Sequence, residues 1–528
     1  MTTPSSVQSA VDTSARTLIV GTPESVDVLS RQVSMVAAPP NLVGAVLLET
    51  RPKITEINAL PVLGGIENLA EICTSAGAVQ AIVTLPASQR DRWTQINANL
   101  DRSGVIGRFV TPMDELLNSA PNLTTSIESS NASVQLPSTH IDLGKLVGRQ
   151  AHEIDRELVA ENIADKCVLV TGAGGSIGSE LVRQIASFGP SRIVLMERSE
   201  NALFGVDRWL KEIHPDIERV AILHDVVDAR ATMSHLERWK PSMVLHAAAH
   251  KHVPLMEDHP AHAVTNNVFG TKAIADAAVA TGVERFVLIS SDKAVNPVNV
   301  MGATKRIAEM YTQSLAQQVQ SMSGASTKLS MVRFGNVLGS ACSVLEIWAD
   351  QISAGRPITV TDERMTRYFM TIPEAATLVL QAGSMSGTED QSTTHHGSGE
   401  VFVLDMSAPI NIFTLAQRFV RACGYTPVIG HPSSSQGADQ VPIILTGSRP
   451  GEKLHEELSY DAEELTPTSH PGIARFQEDS AWFIESMDEL IAKLDYARAS
   501  TSRHEVISAI ASMIPTMKEN SVRTFVAA

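Results

Sequence analysis

The chain has 528 residues, 43% hydrophobic and 19% charged, with a formal net charge of −16. That length implies two or three domains with ample core, and the acidic balance excludes nucleic acid or an anionic membrane surface as the main partner. The start has no basic region followed by an apolar core, the apolar run Val33–Leu48 is broken by Pro39 and Pro40, and Cys73, Cys167, Cys342 and Cys423 form no Cys-x-x-Cys pair, so a cytoplasmic protein with no membrane span, disulfide framework or metal site is expected.

Residues 1–15 read as a disordered tail. In 16–117 the short apolar runs Leu18–Val20, Leu42–Leu48 and Ala81–Leu85 are separated by helix-compatible segments, the rhythm of a small parallel α/β domain. Its first turn, Gly21 to Ser25, keeps one glycine and gains Pro23, which argues against a phosphate grip. Residues 118–141, rich in Ser, Thr and Asn, read as a flexible linker, and 142–165 as a charged connector. From Lys166 the alternation resumes, with strands expected at Cys167–Val170, Arg192–Met196, Val220–Leu223, Met243–His246 and Arg285–Ser290. This pattern predicts a doubly wound parallel sheet within 166–476, with ligands at the carboxyl ends of its strands. The polar inserts Ser384–Glu400 and Gly430–Gln440 read as solvated loops, and the His395–His396 pair lacks a nearby ligand partner. Helical periodicity over Met487–Met517 makes 477–528 a packed helical tail.

The run Cys167 to Gly178 is an apolar strand leading into a glycine-rich turn and then a helix, the arrangement of a dinucleotide site. Gly172 suits the tight turn, Gly175 the approach of backbone N–H groups to a pyrophosphate, and Gly178 close packing of the helix, whose first turn carries Ser176 and Ile177. Glu197, ending the second strand, is placed to accept from ribose hydroxyls, which favours NAD. Arg198 beside it keeps NADP open, since a guanidinium receives a 2′-phosphate. Asp225 and Val226 follow the third strand toward the adenine edge, and Ala247 and Ala248 end the fourth with side chains small enough for a cofactor to lie close.

Ser291, Asp292 and Lys293 follow the fifth strand, and Met301 to Lys305 open the next helix. Short-chain dehydrogenases carry Tyr-x-x-x-Lys there. Here Met301 takes the tyrosine position, and a thioether cannot shuttle a proton. Asp292 and Lys293 supply an acid and a base instead.

From about Asp142 to Phe476 the chain resembles the nucleotide-sugar 4,6-dehydratases of polysaccharide biosynthesis, extended short-chain dehydrogenases typified by UDP-N-acetylglucosamine 4,6-dehydratase. The matching stretches are Thr171–Gly178, His246–Pro254, Ser291–Pro297, Met301–Lys305, Arg333–Ser340, Arg367–Met370 and Arg449–Lys453. The resemblance implies two Rossmann-like domains, the second with a smaller C-terminal substrate-binding subdomain drawn from segments near 336–373 and 406–475. It also implies a homo-oligomer without the membrane-spanning region that large members carry. The chemistry it implies is an NAD-dependent lyase acting on a UDP-sugar. NAD takes hydride from sugar carbon 4, Lys293 takes the carbon 5 proton, Asp292 protonates the departing carbon 6 hydroxyl, and hydride returns to carbon 6. Burial is expected to keep Asp292 protonated, and nearby positive charge to keep Lys293 neutral. Ser291 offers a hydroxyl to the carbon 4 oxygen, and Lys305 holds the nicotinamide ribose. Lys251, Arg367 and Arg449 are the candidates for the diphosphate, Asn336 for the sugar or phosphate, and Glu452 for loop orientation or a ribose hydroxyl.

The family usually reads Gly-Ser-Arg-Gly-Ser-Val where this chain has Gly339-Ser-Ala-Cys-Ser-Val344. Glu346 replaces a proline and His250 a tyrosine. Two other readings stay open: a nucleotide-sugar epimerase, and a non-catalytic sensor of NAD or nucleotide sugar with the amino-terminal domain as its output.

Overall fold

A computed structural model describes residues 16–34, 40–50, 52–85, 92, 96, 99–100, 102–109, 143–149, 152–322, 326–386, 399–430, 440–449, 451–460, 465–476, 483–500, 502–514 and 516–517. The expected tail 1–15, the linker 118–141, the His395–His396 pair and Pro450 lie outside these residues. The chain divides into two compact units between residues 127 and 128.

The first unit holds a six-stranded sheet in the order Glu56–Ile57, Leu60–Gly65, Asn41–Leu47, Arg16–Gly21, Gln80–Thr84, Ile106–Phe109. All its pairings are parallel except the short hairpin made by the first two strands. That hairpin carries Asn58 and Ala59 at positive φ, and the apolar rhythm of the sequence gives no hint of it. The first turn closes on itself. The Thr22 N–H donates to Ser25 Oγ at 2.9 Å, Ser25 Oγ donates to the Thr84 carbonyl at 3.2 Å, and a Cβ on Gly21 would stand 2.6 Å from that same carbonyl oxygen. The place where a Rossmann turn holds phosphate is thus filled by the protein's own side chains.

The second unit is built on a nine-stranded sheet. From one edge the order is Thr466–Pro467, Ile473–Phe476, Glu400–Leu404, Lys328–Arg333, Arg285–Ile289, Met243–His246, Cys167–Thr171, Arg192–Glu197, Glu218–Leu223. The seven strands from Glu400–Leu404 onward are parallel, and Ile473–Phe476 and Thr466–Pro467 add antiparallel to the edge. Helices cover both faces, which is why the central strands are near-continuous apolar runs: Val168, Leu169 and Val170 are all fully buried. On one face Leu169, Val244, Phe286 and Leu329 pack under Ile274 and Ala308.

The long helix Val300–Ser321 is buried along most of its length. Asn299 caps it, its Oδ1 accepting from the Gly302 N–H at 2.7 Å. Its apolar residues Met301, Ile307 and Met310 join Leu490, Leu494 and Ile510 of the C-terminal helices Phe483–Arg498 and Arg503–Ala511 in one cluster. A further cluster of Leu338, Trp348, Phe369, Leu415, Phe419 and Ile443 organises three small sheets, which pair Asn336–Leu338 with Phe369–Thr371, Thr366–Arg367 with Ile410–Asn411, and Ile358–Val360 with Gln440–Leu445 and Thr426–Ile429. Among the described residues no helix is long and apolar enough to cross a membrane.

Candidate active site

One cleft lies at the carboxyl ends of the first four strands of the second unit. Gly172, Gly175, Glu197, Arg198, Asp225, Val226, Ala247, Ala248, His250 and Asn266 all line it. Gly172 sits at φ +62, and a Cβ there would come within 2.9 Å of the Ala247 and Ala248 backbone. At Gly178 a Cβ would stand 2.0 Å from the Gly172 carbonyl oxygen. Both positions therefore exclude any side chain. Gly175 precedes the helix Ser176–Ala186, which has no side-chain cap, and a Cβ on it would only press the Gly172 oxygen at 3.2 Å. The severe contact in that part of the turn falls on Gly174, whose Cβ would meet that of Ala202 at 2.5 Å.

Glu197 braces the turn. Its Oε2 accepts from the Gly174 N–H at 3.2 Å, and its Oε1 from the Arg198 and Ser199 N–H groups at 2.9 Å. Arg198 reaches across the mouth to Asn266 Oδ1 at 3.1 Å, with Asp225 at 3.8 Å and His250 Nε2 at 3.4 Å. Burial, with the Arg198 and His262 charges, pushes His250 down to about 4, so it meets Arg198 as a neutral acceptor at pH 7. Asn266 belongs to a π-helical stretch, Val264–Phe269, which also aims Asn267 at the His250 backbone and at Thr304. The extra residue per turn re-aims these two amides, and nothing in the periodicity of the sequence marks it.

Beyond the fifth strand, Ser291 caps a short 3₁₀ turn, Asp292–Ala294. Ser291 Oγ donates to Asp292 Oδ1 at 2.8 Å, Lys293 Nζ to the same oxygen at 2.9 Å, and Lys293 Nζ also to Asn336 Oδ1 at 2.8 Å. The Asp292 side chain is fully buried, and its Oδ2 has no partner among the described residues. The structure thus joins four candidate residues, Ser291, Asp292, Lys293 and Asn336, in one hydrogen-bonded group. The positive charge expected beside Lys293 is not what the fold places there: its charged neighbours are two carboxylates, Asp292 at 2.9 Å and Glu456 at 3.9 Å, and Arg367 lies beyond, 3.9 Å from the same Glu456 oxygen. Met301 is buried in the apolar cluster described above.

Lys305 is buried, with its Nζ on the Ile289 carbonyl. Burial pushes this amine down from 10.5 to about 8, against the opposing pull of Glu309. Between those two values the unfolded chain binds more protons than the folded one, so Lys305 makes stability rise with pH there. The difference in unfolding free energy between the wild type and Lys305→Met should move about 3 kcal/mol in favour of the wild type between pH 7 and pH 10.5. Denaturant titrations across that range check it, and a gap that does not change with pH contradicts it.

The diphosphate candidates separate. The Arg367 guanidinium is buried and donates to the Thr366, Lys453 and Leu454 carbonyls at 2.7, 2.8 and 3.2 Å, so it fixes the loop that follows Arg449. Arg449 is exposed, and its N–H donates to Glu452 Oε2 at 3.2 Å, which gives Glu452 the loop-orienting part of its expected role. Lys251 Nζ donates to the Ala341 carbonyl at 2.6 Å, and the Ala341 N–H donates to Ser176 Oγ at 3.1 Å. Ser176 therefore ties the dinucleotide turn to the segment expected to hold substrate. Sequence reasoning missed Glu456, Asn266 and the buried Glu309; the Leu-His-Glu-Glu run that contains Glu456 reads like any solvated stretch.

Residues 168–478 match the family described as Polysaccharide biosynthesis protein. Over 493 residues the chain is 38% identical to the probable polysaccharide biosynthesis protein EpsC of Bacillus subtilis, covering 90% of this chain and 75% of that one. The chain belongs to the polysaccharide biosynthesis protein family. It is also 29% identical over 343 residues to a UDP-N-acetylglucosamine 4,6-dehydratase (inverting) of Campylobacter jejuni, covering 61% of this chain and 88% of that one. UDP-glucose 4-epimerases of Rickettsia match at 26 to 29% identity. Among solved structures, Pen from Bacillus thuringiensis superposes with a TM-score of 0.52 at 30% identity, over 60% of this chain and 89% of that one.

Membership in the polysaccharide biosynthesis protein family gives one departure of this chain a physical meaning. Cys342 stands where the family pattern has glycine, and its φ is +57, in the left-handed region. A side chain in that conformation costs about 1–2 kcal/mol.

Proposed function

We propose that the protein is an NAD-dependent nucleotide-sugar 4,6-dehydratase, acting on UDP-N-acetylglucosamine or a near relative to give a 4-keto-6-deoxy sugar nucleotide for polysaccharide synthesis. One observation carries this reading: the 2.9 Å contact between Lys293 Nζ and Asp292 Oδ1 in a buried site. A single proton shift along that contact turns ammonium and carboxylate into amine and carboxylic acid, the base and acid that an elimination needs together.

The cleft fits a dinucleotide. A turn that excludes a Cβ at Gly172, Gly174 and Gly178 and an uncapped helix start suit a pyrophosphate. Gly172, Gly175, Ser176, Ile177 and Gly178 would hold it, with Glu197 at a ribose and Asp225, Val226, Ala247 and Ala248 around the adenosine half. Two carboxylates, Glu197 and Asp225, face one guanidinium, Arg198, at the mouth. That balance disfavours the extra phosphate of NADP and supports NAD. When bound, NAD supplies acceptance and return of hydride at the sugar. In this reading Ser291 hydrogen-bonds the carbon 4 oxygen and relays to solvent the proton that this hydroxyl loses along with its hydride, Lys293 removes the carbon 5 proton, Asp292 protonates the carbon 6 oxygen as it leaves, and Asn336 keeps the Lys293 amine aimed. After Lys293 has returned its proton to carbon 5, solvent restores one proton to the Asp292–Lys293 pair. Lys305, on the helix Val300–Ser321, would hold the nicotinamide ribose, and Arg449 and Lys251 remain for the diphosphate.

Purified protein incubated with a panel of UDP-, GDP- and dTDP-sugars should convert a UDP-sugar to a product lighter by one water, read by mass spectrometry. An isomeric product of unchanged mass would make the protein an epimerase. Tight binding without any product would make it a sensor.

A further inference from the structure

We infer that Glu456, which the sequence gives no reason to single out, is a positioning residue of this active site that holds and aims the Lys293 ammonium during turnover. The inference rests on the dehydratase reading. Its basis is a carboxylate that the fold forces inward. The segment carrying it is fastened over the catalytic turn. Asn299 Nδ2 donates to the Gly451 carbonyl at 2.8 Å, Lys453 Nζ to the Val295 carbonyl at 2.8 Å, Asn296 Nδ2 to Glu457 Oε2 at 3.0 Å and Tyr460 Oη to the Ala294 carbonyl at 3.0 Å. Arg367 donates to the Lys453 and Leu454 carbonyls from the other side. Held this way, His455 and Glu457 face solvent, while the Glu456 side chain is only 4% exposed.

A buried carboxylate costs several kcal/mol unless it is paired and hydrogen-bonded. Glu456 is only half provided for. Its Oε1 lies 3.9 Å from both Lys293 Nζ and Arg367 Nε, near enough for charge attraction but too far for a hydrogen bond, and its Oε2 has no partner among the described residues. Lys293 spends two N–H bonds on Asp292 and Asn336. An ammonium has a third, and a shift of about 1 Å would bring it to hydrogen-bond distance of Glu456.

That third donor exists only while Lys293 is charged, which in the proposed reaction holds at rest and again in the interval after the carbon 5 C–H bond breaks and its proton forms the new N–H bond. Asp292 has by then given its own proton to the departing hydroxyl, which leaves as water. Glu456 then shares the ammonium with Asp292 and Asn336 and keeps it directed at carbon 5, ready to return a proton there once carbon 6 has received hydride. The charged groups facing Glu456 are Lys293 and Arg367, with Asp292 on the far side of Lys293.

The test uses the full chain and whichever sugar nucleotide of the panel the wild type dehydrates, comparing Glu456→Gln, Glu456→Asp and wild type. For Glu456→Gln, kcat should fall about 100-fold with KM within about threefold, the scale of a catalytic group misplaced by about an ångström. The acid limb of its kcat–pH profile should also move to lower pH, because removing a neighbouring negative charge lets an ammonium give up its proton more readily. Glu456→Asp, which keeps the charge, should recover about tenfold of the lost rate and return the limb toward its wild-type place. A Glu456→Gln enzyme within about threefold of wild-type kcat, or one that loses rate with the limb unmoved, overturns the role, since simple loosening of the loop lowers rate without moving an ionisation. If the wild type removes water from no sugar nucleotide, the dehydratase reading itself fails. A wild type that dehydrates beside a silent Glu456→Gln removes Glu456 alone.

Discussion

Turnover of a Lys293→Ala variant should fall about 10³- to 10⁴-fold, with Asp292→Asn close behind, while both variants still bind NAD as the wild type does. The size follows from what each change removes. Without the amine nothing near the sugar takes the carbon 5 proton, and without the carboxyl nothing donates to the carbon 6 oxygen. Retention of cofactor follows from geometry, because neither residue lines the cleft that ends the first four strands. Because the two side chains share one proton across 2.9 Å, the double variant should lose little more than either single one. Single-turnover rates together with NAD titration by fluorescence decide this. Independent, multiplying losses would mean that the two groups act in separate steps, and turnover within tenfold of wild type would remove them from the mechanism.

What could be read in the sequence, and what could not, follows from the range of the forces involved. The strands of both units are legible because a parallel sheet covered on both faces needs continuous apolar runs, so Val168–Leu169–Val170 and Ile193–Val194–Leu195 announce themselves. The dinucleotide turn is legible because Gly172 and Gly178 are places where no other residue fits. Glu197 and Asp225 both line the cleft, and they are legible because strand ends in such sheets converge on one crevice. The hairpin at Glu56–Gly65 and the π-helical stretch at Val264–Phe269 were not legible, since each depends on a local backbone departure with no periodic trace. Arg367 is expected from the sequence to bind the diphosphate, but its guanidinium is taken up by three carbonyls. A sequence shows that an arginine is present and says nothing about which acceptors the fold brings to it. Glu456 escaped for the same reason: only the tertiary course of 451–460 turns it inward while its neighbours stay in water.

The second large effect lies beneath the site. Glu309, one turn along the helix from Lys305, is fully buried. Its Oε1 accepts from Ser290 Oγ at 2.6 Å and Arg333 Nε at 2.9 Å, and its Oε2 from the other arm of Arg333 at 2.9 Å and from Arg306 at 3.3 Å. Burial acts to raise this carboxyl, but the two guanidiniums and the serine outweigh it and hold it below the ordinary 4.5. These bonds join the ends of two adjacent strands to the helix directly behind Ser291, Asp292 and Lys293. Arg333 in turn lies against the rings of Tyr460 and Phe476, and Tyr460 reaches the Ala294 carbonyl. Glu309→Ala leaves a fully buried arginine facing an empty space, which should cost about 3–5 kcal/mol of stability. The same carboxylate sets a pH dependence of definite sign. Because its folded value is depressed, its contribution is complete above the ordinary value of 4.5 and is lost as pH falls through the folded value. Denaturant unfolding of wild type and Glu309→Ala at neutral and acidic pH should therefore show a gap that is wide at pH 7 and narrows toward the acid end. If Glu309→Ala is as stable as wild type at pH 7, the cluster is not what holds the catalytic turn in place, and the geometry of Asp292 and Lys293 must be maintained by the loop above them.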